Sequence, residues 1–263
     1  MTIFRKVFGE TKPIIGMVHL RPLPGAPGYE GNLESVFKCA LQDLQALERG
    51  GATAFIVENF GDIPYASSNS LITITSFTAI AARLRQYTKL PMGINVQFNE
   101  VDSAWSAAYA AEADFIRVEV FAETRVGPNG MFTAAGPHLM RLKQSYPKEI
   151  ALLCDLNVKH TFALADQPLD FTIESIIEGG GDAIIENGLV TGKSPSIDEV
   201  RETKHIAGDF PVIVGSGVKA ETAKEYFEAC DGAIIGSSFK VDGNVMNGID
   251  EARVRRFVNA LKS

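Results

Sequence analysis

The stretch "GSGVKAETAKEYFEACDGAIIGSS", residues 215–238, sets a Gly/Ser cluster at each end of a short helical pattern. Each cluster follows a short apolar run, "PVIV" at 211–214 and "GAII" at 232–235. In an eight-stranded α/β barrel, the loops after strands seven and eight form a recurrent phosphate site, helped by a short extra helix. A phosphate dianion needs several backbone N–H donors pointing inward, and Gly or Ser lets the backbone come that close. One such cluster reads as a tight turn. Two at the ends of consecutive strands read as halves of one anion site, made of Gly215, Ser216 and Gly217 with Gly236, Ser237 and Ser238. The three serines add candidate hydroxyl donors, and "SSFKVDG" supplies a candidate short helix facing the anion.

Outward from this stretch the same alternation runs the length of the chain. Eight apolar runs rich in Ile and Val recur: 13–20, 53–59, 91–97, 114–120, 149–158, 182–188, 211–217 and 232–238. They are continuous rather than alternating, as suits parallel strands buried on both faces. Helical patterns lie between them. The clearest carries Leu33, Val36, Phe37, Ala40, Leu41, Leu44 and Leu47 on one stripe, with Asn32 as N-cap and Gly50 as stop. Others cover roughly 70–88, 99–112, 134–146, 168–179, 196–207, 219–229 and 250–262. Eight strand–helix units in 263 residues predict a single (β/α)8 TIM barrel of the phosphate-binding type over residues 1–263. A doubly wound open sheet is the competitor, but its Gly-rich turn after the first strand is missing. Helix-to-strand connections are terse, whereas strand-to-helix connections at 21–32, 60–69 and 121–133 are long. That asymmetry marks the C-terminal strand ends as the working face.

Bulk properties narrow the function. Hydrophobic residues make up 46 %, enough for a sizeable core, and the net charge of −7 argues against nucleic acid as a partner. No run of eighteen apolar residues exists, so no integral membrane segment is expected, and the opening "MTIFRKVFGETKP" is too short and charged for a secretion signal. Three isolated cysteines, Cys39, Cys154 and Cys230, fit neither a disulfide framework nor a zinc site and suit a reducing cytoplasm. No cofactor is expected, and a homo-oligomer is left open.

Polar residues gather where the strands end: His19, Glu58 and Asn59, Asn95, Arg117 and Glu119, then Asp155, Asn157 and Lys159, and Glu186 with Asn187. Asp155, Asn157 and Lys159 share one face if the strand continues through them. An Asp–Lys pair at the mouth can do acid–base work, and a desolvated lysine can form a Schiff base. A surface ion pair is the plain alternative. So near an acidic neighbour, Lys159 is expected to stay an ammonium and act as an electrostatic clamp. Glu58-Asn59 and Glu186-Asn187 end strands two and six in echoing contexts, "GGATAFIVENF" and "GGGDAIIENGL", and parity does not tell which residue of each pair faces inward. A metal held by Glu58, Asp155 and Glu186 has no ligand spacing behind it, so no metal is expected. His138 and His205 read as solvated helix residues, and Trp105 and Cys154 as packing residues.

The motifs "GMVHLRPLPGAPGY", "ALERGGATAFIVENFGDIPY", "DLNVKH", "TGKSPS" and "PVIVGSGV" together resemble the BtpA/SgcQ family over nearly the whole chain. The resemblance implies a phosphate-binding TIM barrel, with a cyanobacterial member linked to photosystem I biogenesis and bacterial members beside sugar-uptake and carbohydrate genes. It brings no agreed reaction. It singles out His19, Pro22, Pro24, Glu58, Asn59, Asp62, Asn95, Arg117, Asp155, Lys159, His160, Thr191, Gly192, Gly215, Ser216 and Gly217. Three positions depart from the family pattern: Glu119 in place of Asn, Glu186-Asn187-Gly188 in place of a small or hydroxyl residue before Gly, and Thr222 in place of Asn. The first two add carboxylates and point to a subfamily with its own substrate.

Taken together, these residues lead to an expected enzyme on a small phosphorylated, sugar-phosphate-like metabolite, working by isomerase, epimerase or aldolase-like lyase chemistry. The candidate catalytic set is Asp155, Lys159, Glu58, Glu186, Glu119, Asn95 and His19. The alternative is a non-enzymatic assembly or regulatory factor that retains the phosphate site. Intact lumen acids would favour the enzyme, and an exposed apolar patch on the outer helices would favour the factor.

Overall fold

The computed structural model describes residues 2–188 and 194–262. In chain order the strands are β1 (Ile14–His19), β2 (Ala54–Glu58), β3 (Met92–Asn95), β4 (Phe115–Val118), β5 (Arg125–Gly127), β6 (Gly130–Phe132), β7 (Ala151–Asp155), β8 (Phe162–Ala163), β9 (Ala183–Glu186), β10 (Val212–Val214) and β11 (Ala233–Ile235). The helices are α1 (Ile3–Phe8), α2 (Leu33–Gly50), α3 (Leu71–Arg85), α4 (Val101–Ala110), α5 (Gly136–Ser145), α6 (Leu169–Glu178), α7 (Ile197–Ala207), α8 (Ala223–Ala229) and α9 (Glu251–Ala260).

Eight of the strands close a barrel in the order β1-β2-β3-β4-β7-β9-β10-β11, every pair parallel. These are the eight apolar runs of the sequence, and the fold is the expected TIM barrel. Side chains alternate along each strand, which splits the interior in two. Ile15, Met17, Ala54, Ile56, Phe115, Ala151, Leu153, Ala183, Ile185, Ile213 and Ile234 fill the lumen. The residues between them, such as Val18, Val57, Ile94, Ile184 and Val214, pack outward against the helices. Gly93 shows how tightly the lumen is filled: a Cβ there would lie 2.2 Å from the Phe115 ring. Cys154 and Trp105 are buried among the outward-packing residues.

The sequence-derived helix boundaries lie within three residues of the observed ones, except at the start of α8, which begins later than expected. Asn32 caps α2, accepting the Ser35 N–H at 3.0 Å. The stop is Gly51 rather than Gly50, because Gly51 takes the left-handed conformation, φ +95°, that ends the helix.

Two features are absent from the sequence reading. Helix α1 plugs the N-terminal end of the barrel, where Phe4 and Phe8 join the lumen core and Phe8 meets Phe115 edge-on at 5.3 Å. At the other end, the loops after β4 and β7 meet in an antiparallel sheet of order β6-β5-β8. The buried Arg125 holds it, donating to the Thr161 hydroxyl at 2.7 Å and pairing with Glu123. With β7 ending at Asp155, Lys159 lies beyond the strand in this loop, not on the strand face expected for it.

Candidate active site

Strand parity decides which side chains reach the mouth of the barrel. His19, Glu58, Asn95, Arg117 and Asp155 continue the inward-facing rows of Met17, Ile56, Gly93, Phe115 and Leu153. Register sets three of them side by side, since His19 pairs with Glu58 and Glu58 with Asn95 across β1, β2 and β3. Above them opens a cavity of about 240 Å³ lined by His19, Glu58, Arg117, Glu119, Lys159, residues 215–217, Gly236 and Ser237. Asp155 lies beneath this lining, tied to Arg117, and Asn95 reaches the lining through Glu119.

Arg117 and Asp155 form the central ion pair. The guanidinium donates through Nε at 2.8 Å and through a terminal nitrogen at 2.6 Å, one bond to each carboxylate oxygen. Both side chains are nearly inaccessible, at 9 % and 0 % exposure. Burial works against the guanidinium, but the Asp155 charge more than offsets it and holds Arg117 firmly protonated. The expected Asp155–Lys159 pair is therefore not formed: Asp155 is occupied by a partner 38 positions away in sequence.

Lys159 instead donates from Nζ to the carbonyl oxygen of Gly215, at 3.1 Å, in the loop after β10. Its pKa is lowered to about 8, first by burial and then by the Arg117 charge, against the opposing pull of Asp155, Glu58 and Glu119. The reason for expecting a permanent ammonium clamp thus falls away, because the guanidinium screens the carboxylate.

The other carboxylates each have hydrogen-bond partners of their own. Glu119 accepts the Asn99 N–H at 2.7 Å and a long bond from the Asn95 amide at 3.4 Å. Burial raises its pKa to about 7, with Arg117 opposing and Asp155 and Glu58 assisting. Glu58 accepts from the Gln97 amide at 2.6 Å and faces His19 Nε2 at 3.7 Å. His19 stacks on Phe60, with ring centres 4.3 Å apart. Burial, and then the Lys240 charge, push its pKa down to about 3, so it is a neutral imidazole at neutral pH. Lys240 is itself fully buried and paired with Asp43 of α2 at 2.9 Å.

Glu186 does not join this set. It follows the outward row of Ile184, and its carboxylate accepts the hydroxyl of Thr203 on α7 at 2.7 Å. Asn187 takes the inward row instead, and a Cβ on Gly215 would lie 2.2 Å from its oxygen. The "EN" echo between strands two and six is therefore broken, with Glu inward in one and outward in the other. Glu58, Asp155 and Glu186 are accordingly not brought together as metal ligands.

The two Gly/Ser clusters do meet. Gly217 has φ +76°, a left-handed conformation that favours glycine. Within the described residues no acceptor takes the backbone N–H of Gly217, Ser237 or Ser238. Ser237 starts a short 3-10 turn, Ser237–Phe239, the extra helix anticipated from "SSFKVDG". The Ser238 hydroxyl, unlike its backbone N–H, is engaged elsewhere: it donates to the Val218 carbonyl at 2.7 Å and ties the two loops together.

Several residues singled out by resemblance serve as braces. Asn59 accepts the Gln97 N–H at 2.8 Å and donates to Asp62 at 3.0 Å, while Asp62 accepts the Leu23 N–H at 2.7 Å. Thr191 and Gly192 lie outside the described residues. Phe60, Tyr65, Gln97, Phe98 and Val245 also line the cavity and had not been anticipated. Only Gln97 carried a signal, standing two positions beyond Asn95 on the same face.

The family model for the BtpA family matches residues 10–263. The chain belongs to the BtpA family. Among its relatives, an uncharacterized protein of Thermococcus kodakarensis is 38 % identical over 253 residues, covering 96 % of both chains. The photosystem I biogenesis protein BtpA of Synechocystis is 34 % identical over 263 residues, covering 99 % of this chain and 91 % of its own. This BtpA-family chain also resembles solved barrels in fold. The tryptophan synthase alpha subunit of Legionella pneumophila superposes with a TM-score of 0.63 at 13 % identity, covering 100 % and 99 % of the two chains. N-(5'-phosphoribosyl)anthranilate isomerase of Pyrococcus furiosus gives 0.56 at 14 % identity, covering 95 % and 98 %. Among the described residues no helix is long and apolar enough to cross a membrane.

Proposed function

We propose that the chain is an enzyme acting on a small phosphorylated carbonyl compound of sugar-phosphate type. The observation that carries this reading is the placement of Lys159. A desolvated amine with a pKa of about 8 sits in the lumen and contacts the loop whose unpaired N–H groups suit a phosphate. In its neutral form the Lys159 amine attacks the substrate carbonyl carbon, and loss of water gives an iminium. The iminium draws electrons from the adjacent C–H or C–C bond and becomes an enamine. The Glu119 carboxylate, with its pKa of about 7, accepts the proton from that C–H or, in cleavage, from the hydroxyl of the carbonyl fragment that departs. Glu119 then returns the proton to the enamine carbon, which restores an iminium, and addition of water to that iminium gives back the carbonyl and the free amine. The same steps serve isomerisation, epimerisation or aldol-type cleavage. Burial and the Arg117 charge keep Lys159 from being held as an ammonium, and the Arg117–Asp155 bond fixes that guanidinium in place.

The test is borohydride reduction in the presence of dihydroxyacetone phosphate, glyceraldehyde 3-phosphate and ribose 5-phosphate, read by peptide mass spectrometry. A reduced adduct on Lys159 with at least one of them is expected. The second reading, an assembly or regulatory factor that keeps the phosphate site, is favoured by one observation. Val126, Met131 and Phe162 are cross-strand neighbours on the mouth sheet and are 40 %, 63 % and 80 % exposed. Bound phosphate without any adduct on Lys159 would favour that reading.

Two further outcomes follow. Gly217→Val is expected to weaken inorganic phosphate binding by at least ~10-fold in calorimetry, because a β-branched residue cannot hold φ +76° without strain and fills the space the anion needs. The pH profile of kcat/KM is expected to rise through about 7, as Glu119 ionises, and again through about 8, as Lys159 loses its proton, and then to level off. An ammonium clamp would instead make the rate fall above about 8.

A further inference from the structure

Next to the lumen cavity a second cleft opens between the loop after β10, the loop after β11 and helix α9, with a volume of about 630 Å³. Ser237 and Val245 line both spaces, so the two share a wall at the phosphate loop. Three cations line the second cleft, Lys219, Arg253 and Arg256, against one acid, Glu221. This excess of positive charge stands in a chain of net charge −7. Neither the Lys219 ammonium nor the Arg256 guanidinium has a hydrogen bond or ion pair within the described residues, and Arg253 has only Asp250 at 3.7 Å. On the same helix, by contrast, Arg255 is engaged by Glu251. An ordinary solvated face would be convex and paired in this way; here unpaired donors line a concavity that adjoins the anion site.

We propose that this cleft is a second phosphoryl subsite and that the substrate is a bisphosphorylated compound. One phosphoryl group sits on the N–H groups of Gly217, Ser237 and Ser238, and the other reaches past Ser237 and Val245 to Arg256, Arg253 and Lys219. A guanidinium offers a planar fork of donors that matches two phosphate oxygens, which a lone surface lysine does not. The local charge also offsets the repulsion that a net negative chain exerts on a doubly anionic ligand. The inference rests on the phosphorylated-substrate reading above and deepens it.

The experiment is calorimetry at fixed ionic strength with two unreactive open-chain alcohols, glucitol 6-phosphate and glucitol 1,6-bisphosphate. They differ only in the second phosphoryl group. The intact protein is expected to bind the bisphosphate at least ~10-fold more tightly than the monophosphate. Arg256→Ala should erase most of that difference and leave the monophosphate within about twofold. Arg255→Ala removes the same charge from the same helix outside the cleft and should leave both affinities unchanged. Equal binding of the two alcohols to the intact protein, or equal losses from Arg256→Ala and Arg255→Ala, would overturn the second subsite while the first stands. Failure of both alcohols and of inorganic phosphate to bind would overturn the phosphorylated-substrate reading and this inference with it.

Discussion

Lys159→Met is expected to lower turnover of the phosphorylated carbonyl substrate on the order of 10³-fold or more, the upper part of the range for a group acting directly on the reacting atoms. Phosphate affinity should change by less than about threefold, because the phosphate donors are backbone groups of other loops. Lys159→Arg separates the two chemistries. A guanidinium keeps the positive charge but cannot lose its proton near neutrality, so it cannot form an iminium. If Lys159 acts as an amine, Arg is as poor as Met. Partial rescue by Arg, measured in steady-state kinetics, would restore the clamp.

Arg117→Met is expected to lower the free energy of unfolding by about 3–5 kcal/mol, because it strands a carboxylate in the barrel interior. Asp155 has 0 % side-chain exposure and gives both oxygens to Arg117, and no other side chain among the described residues hydrogen-bonds to it. Denaturant unfolding measures the loss. Replacing both partners, Arg117→Met with Asp155→Leu, should recover most of it, since the cost lies in the unpaired charge rather than in the missing bond. The single variant has a second consequence. It removes the cation that lowers the Lys159 pKa and frees the anion that raises it, so Lys159 should shift back toward an ordinary ammonium. Stability and lysine chemistry are thus coupled through one guanidinium.

The barrel could be read from the sequence because its strands announce themselves. Runs such as "TAFIVEN" and "PVIVGSG" are apolar on both faces, which only a buried parallel strand requires. The Gly/Ser clusters were legible for the same reason, being local features with a steric cause. What failed was nonlocal. The mouth sheet is built from pieces of two or three residues, "RVG", "GMF" and "FA", too short to show a period and held by a buried arginine and a threonine 36 positions apart. The charge on Asp155 was assigned to Lys159, four positions away, whereas the structure gives it to Arg117, 38 positions away. Glu186 could not be placed because adjacent residues of a strand face opposite ways, and a one-residue ambiguity in the strand register exchanges Glu for Asn. Helix α1 left no sign that its two phenylalanines close the barrel floor, since a short amphipathic segment reads alike on a surface or as a plug.

The most direct measurement of the central claim is the titration of the Lys159 side chain by heteronuclear NMR on uniformly labelled protein, with the resonance assigned by its loss in Lys159→Arg. The expected midpoint is near the value of about 8 that burial and Arg117 impose. A midpoint at the ordinary 10.5 or above would show an ammonium held by its carboxylate neighbours and would contradict the amine chemistry proposed for this site.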